Sequence, residues 1–78
     1  MNIMVSNLNK LTTASHLLDL FIPFGLVKSV KIVRKDNNGL SQGMGFIKMD
    51  NFSGSSAIRG LHDMRFMNSY IEVYEVRM

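Results

Sequence analysis

Gln42-Gly43-Met44-Gly45-Phe46-Ile47-Lys48-Met49 holds the residues of this chain best suited to receiving a ligand on a flat surface. The stretch alternates like a strand, and successive strand side chains face opposite ways. Met44, Phe46 and Lys48 therefore share one pleat, and Gly43 and Gly45 share the other. Glycine inside a strand costs stability and often marks the close approach of a ligand or another backbone. A ring, a polarizable thioether and an ammonium side by side suit the stacking of a nucleobase and the neutralising of its phosphate. Packing of Phe46 against a neighbouring subunit is the competing use of the same ring.

Other residues extend this chemistry. Lys28, Lys31, Arg34 and Lys35 place four positive charges within eight residues, and alternation puts Lys31 on the pleat expected to face Lys48. As phosphate contacts they would set affinity and salt dependence rather than sequence choice. A solvated edge strand that resists aggregation explains the same charges. Tyr74 is expected on the ligand face with Glu72, as a second ring at the side of Phe46, while Tyr70 anchors an edge. Asn7, at the strand end, could hydrogen-bond a base edge, and bonding within the local turn is the competing use. His16 and His62 have no neighbours at metal-ligand spacing. With no Cys, phosphate loop or zinc motif, neither an enzyme nor a metal or cofactor site is expected.

The elements that must position these residues follow from periodicity. Ile3 to Ser6 reads as a strand, beginning so near residue 1 that no upstream arm is expected to assist it. Thr12, Thr13 or Ser15 can cap a helix whose apolar face is Leu17, Leu20, Phe21 and Phe24. Pro23 biases Ile22 away from helical geometry, and Gly25 permits a stop. Val27 to Lys35 alternates, with Val30 and Ile32 on one side and Lys31 and Val33 on the other. Asp36-Asn37-Asn38-Gly39 predicts a tight hairpin turn into the glycine-bearing strand. Ser53 to Leu61 predicts a weaker helix, since Gly54, Ser55, Ser56 and Gly60 need a sheet to hold them. Tyr70 to Val76 alternates as a final strand.

Strand, helix, strand, strand, helix, strand is the order of an α+β, ferredoxin-like βαββαβ sandwich. It is a four-stranded antiparallel sheet with two helices on one face, and the other face is left open. At 78 residues the chain makes one domain, 1–78, whose core must come from its 46% apolar content. Nine basic against six acidic residues give +3, a mild bias toward polyanions. No apolar run approaches the roughly 18 residues of a membrane span, and the N-terminus lacks signal-peptide character. The expectation is a cytoplasmic protein without a membrane partner.

Ile3-Met4-Val5-Ser6-Asn7-Leu8 and Gln42 to Met49 resemble the hexapeptide and octapeptide of the RNA recognition motif, in its single-domain bacterial form. Leu17, Phe21, Phe24-Gly25 and Ala57-Ile58, Leu61-His62 also match that family's core positions. The resemblance spans nearly the whole chain and implies single-stranded RNA as partner, about two or three bases resting on the open sheet. Carried over position by position, Phe46 takes the second stacking site and Met44 the first. Met4 takes the aromatic site of the hexapeptide, and Gln42 replaces the basic residue that pairs with phosphate. One stacking ring of three is kept, which implies modest affinity and low sequence preference. The RNA-contacting set implied is Met4, Lys31, Gln42, Met44, Phe46, Lys48 and Tyr74. The alternative is a protein-interaction or homodimerisation module that kept the fold and lost RNA. In that case Met4, Met44, Phe46 and Tyr74 would close a subunit contact.

Overall fold

Alternation along the first strand decides where the core forms. In the computed structural model, which describes residues 1–34 and 41–77, β1 (Asn2–Ser6) buries Ile3 and Val5 and turns Asn2, Met4 and Ser6 the other way. Of the candidate caps, Thr13 starts α1 (Ala14–Phe21). Its hydroxyl accepts the His16 N–H at 3.2 Å, and His16 Nδ1 accepts the Thr13 N–H at 3.0 Å. This is a reciprocal cap with imidazole in the role glutamate usually plays. Leu17 and Phe21 of α1 are fully buried.

Pro23 does not turn the chain out of helical space as its position predicted. Ile22 stays helical at φ −51° and ψ −40°, and a 3-10 turn over Ile22–Phe24 follows. Proline sits in the first turn of that segment, where a missing amide hydrogen leaves no bond unmade. Gly25, at φ 150°, ends it.

Strands β2 (Val27–Arg34) and β3 (Ser41–Met49) pair antiparallel. The predicted Asp36–Gly39 turn and Lys35 lie outside the described residues. Helix α2 covers Asn51–Leu61, two residues earlier than predicted, because Asp50 is the cap and accepts the Ser53 N–H at 2.8 Å. Two short strands then form a hairpin, β4 (Arg65–Phe66) with β5 (Ser69–Tyr70), before β6 (Glu72–Val76) joins the main sheet. The final strand therefore begins at Glu72 and not at Tyr70. Met67 and Asn68, at φ 49° and 65°, reverse the chain here without a glycine to signal it.

The main sheet runs β2-β3-β1-β6, antiparallel throughout. Both helices cover one face, where Leu17, Phe21, Ala57 and Leu61 meet Ile3, Val5, Ile47 and Val73 in a single cluster. The glycines of β3 belong to that covered face. A Cβ on Gly45 would stand 2.6 Å from Leu17 Cδ1, so the bare backbone is what lets α1 settle onto the strand. Gly43 lies in left-handed space at φ 76°, beside a register shift between Ile32 and Arg34, and its carbonyl accepts the Leu8 N–H at 2.9 Å. The close approach that these glycines permit is thus by a helix and a loop, and not by a ligand on the open face.

Candidate nucleic-acid interface

The register aligns the open-face residues into rows that cross the strands. Lys31 pairs with Phe46, Phe46 with Met4, and Met4 with Tyr74. The adjacent row runs Ser29, Lys48, Asn2 and Val76. Neighbouring strands lie about 4.7–4.9 Å apart, so the first row is a continuous strip of ammonium, ring, thioether and phenol. Phe46, Met4 and Met44 are half-buried, and Lys31, Gln42 and Lys48 are exposed. Tyr74 keeps 38% of its surface. Among the described residues no helix covers the strip, which faces away from the core cluster.

A recess of about 340 Å³ opens beside Phe46, lined by Asn2, Ser29, Lys31, Ile47 and Lys48 as well as the ring. It brings together Lys31, Phe46 and Lys48 as the alternation predicted. Asn2 and Ser29 were missed by sequence reasoning. Their pleat could be read by counting back from Met4 and Lys31, but their place beside Lys48 depends on strand order. That order also corrects one expectation: Tyr74 does not flank Phe46. Strand β1 lies between β3 and β6, so Tyr74 stands next to Met4 and offers a ring where the first strand lacks one.

Ser6, Glu72 and Asn7, at one end of the strip, are engaged. The Ser6 hydroxyl donates to Glu72 at 3.3 Å, which holds that carboxylate at the β1–β6 end of the face. Asn7 Nδ2 donates to the Tyr70 carbonyl at 2.9 Å, tying the β1 exit loop to the hairpin. Among the described residues the ion pairs given by geometry, His62 with Asp63 and Arg77 with Glu75, involve neither Lys31 nor Lys48. Among the described residues no cluster of His, Asp or Glu could hold a metal ion, and no helix is long and apolar enough to cross a membrane. An uncovered ring with nearby ammonium groups can hold a planar heterocycle and its phosphate.

This chain is similar to known proteins. The family model for the RNA recognition motif matches residues 3–72. This chain belongs to the RNA recognition motif family. Protein elav of Drosophila melanogaster is 38% identical over 72 residues, 91% of this chain and 15% of that protein. Spliceosome-associated protein 49 of Schizosaccharomyces pombe is 34% identical over 73 residues, 92% of this chain and 22% of that protein. The chain therefore spans a small part of each of these relatives. Among solved structures, RNA Binding Protein PG1 superposes with a TM-score of 0.95 at 34% identity, covering 97% of this chain and 93% of that one. Against the motif's octapeptide consensus this chain differs by Gln42 at the basic position, Met44 at the first aromatic position, Ile47 for valine and Met49 at the last aromatic position.

Proposed function

We propose that this domain binds single-stranded RNA by laying two or three bases on the open sheet. The observation that carries the proposal is the uncovered in-register strip from Lys31 through Phe46 and Met4 to Tyr74. Phe46 stacks one base. Met4 and Tyr74 support the next across β1 and β6, and Met44 extends the apolar surface along β3. Lys31 and Lys48 supply positive charge at the rim of the recess. Gln42 stands where the family carries a phosphate-pairing base and gives a neutral hydrogen bond there. With one family ring of three kept and a carboxylate at the Glu72 end, affinity is modest.

Fluorescence anisotropy with short single-stranded RNAs tests this, comparing wild type with Phe46→Ala. Loss of one base–ring stack weakens binding by about 1–3 kcal/mol, roughly 5- to 150-fold. Chemical-shift changes on titration should gather at Met44, Phe46 and Tyr74. Equal affinity for wild type and Phe46→Ala would remove stacking from the account. A stable dimer that buries Phe46 in solution would remove the binding face itself.

A further inference from the structure

The recess beside Phe46 holds four hydrogen-bonding side chains, Asn2, Ser29, Lys31 and Lys48. Among the described residues none of the four has a side-chain hydrogen bond or ion pair. The register divides them. Lys31 ends the Phe46 row, whereas Ser29, Lys48 and Asn2 form the row beside it with Lys48 in the middle. Residues two apart on a strand are separated by about 6.4–6.8 Å. A base lying flat on Phe46 therefore brings one edge up to Lys48. In the other direction along β3 it meets the Met44 thioether, and the nearby Ser6 hydroxyl is already given to Glu72. The polar edge of the base has its open partners on the Lys48 side.

An ammonium donates hydrogen bonds and accepts none. Uracil and guanine carry a keto oxygen where cytosine and adenine carry an amine. An amine turned toward Lys48 sets donor against donor, so neither gains a hydrogen bond from the other. We infer that Lys48, flanked by Asn2 and Ser29, reads the edge of the base on Phe46 and selects keto bases, uracil over cytosine among pyrimidines. Asn2 and Ser29 can each accept as well as donate, so either can take the ring N–H beside the keto group. Lys31, in the row of the ring itself, is left to the phosphate. The selecting residues lie outside the family signature: Lys48 occupies its unspecified position, and Asn2 precedes the hexapeptide.

This inference rests on the RNA-binding reading above, and one experiment separates the two. Hexauridylate and hexacytidylate are titrated against wild type, Lys48→Met and Phe46→Ala at fixed salt. Wild type should prefer hexauridylate about tenfold, the worth of one hydrogen bond to a charged group. Lys48→Met should cost hexauridylate several-fold more than hexacytidylate, so that the ratio falls toward one. Phe46→Ala should weaken both. A wild-type ratio within twofold of one overturns the selection by Lys48 while leaving RNA binding standing. So does an equal loss for both oligomers in Lys48→Met, since that is the mark of a phosphate contact. Failure of wild type to bind either oligomer, or indifference of both to Phe46→Ala, overturns the RNA-binding reading and this inference with it.

Discussion

Gly45→Ala is expected to destabilise the domain, by an amount set by what surrounds the missing methyl group. A Cβ at Gly45 stands 2.6 Å from Leu17 Cδ1, 3.2 Å from the Lys31 carbonyl oxygen and 3.5 Å from Ile32 Cδ1. Non-bonded carbons rest about 3.5–4.0 Å apart, so about 1 Å must be opened against Leu17. Leu17 is wholly buried. Turning it about 30° off its rotamer costs about 0.5–1.5 kcal/mol, and lifting α1 instead disturbs the rest of the core. The Lys31 oxygen belongs to the β2 backbone and cannot retreat without straining the ladder. Overpacking of this kind costs about 1–3 kcal/mol. Against it stands the smaller freedom of alanine in the unfolded chain, about 0.5–1 kcal/mol. The net loss is about 1–2 kcal/mol, out of the roughly 3–5 kcal/mol that a core of this size supplies. The melting temperature should fall by roughly 5–15 °C. Urea and thermal unfolding followed by circular dichroism measure this, with Gly54→Ala as the comparison. There the new Cβ meets the Sδ of Met1 at 2.5 Å and Ile3 Cδ1 at 3.3 Å, but Met1 is a half-buried, unbranched side chain that can swing aside, and α2 gains helix propensity of about 1 kcal/mol. Gly54→Ala should be much the milder change. A Gly45→Ala variant as stable as the wild type would refute the claim that β3 is bare on its inner face to admit Leu17.

Two further outcomes are expected. Hydrogen bonds from the Ser53 backbone N–H and then the Ser53 side chain hold the Asp50 carboxyl below its ordinary range. Its stabilising effect is therefore complete at neutral pH and is lost as the pH falls below about 4, the unfolded value. Asp50→Asn, which keeps a capping oxygen, should flatten that acid limb in a pH series of unfolding curves. Lys31→Gln should reduce the slope of log affinity against log salt by about 0.7, the share of one phosphate on a single strand. A slope unchanged by that substitution would take Lys31 off the phosphate path.

The amino-acid sequence by itself determined which residues could share a face. Alternation separates Ile3 and Val5 from Met4, and Gly43 and Gly45 from Phe46 and Lys48, because a strand's pleat depends only on the backbone of adjacent residues. Helix α1 was legible for a similar reason, its apolar residues recurring at helical spacing behind a capping threonine. The tertiary structure alone decided which residues on that face are neighbours. Placing β1 between β3 and β6 puts Met4 between Phe46 and Tyr74, and Lys48 between Asn2 and Ser29. These contacts join residues distant in the chain, and loops and helix packing set them without a local signature. The Met67-Asn68 hairpin escaped because neither residue announces left-handed geometry as glycine does. The purpose of Gly45 escaped because the atom it makes room for, Leu17 Cδ1, belongs to a helix 28 residues earlier in the chain.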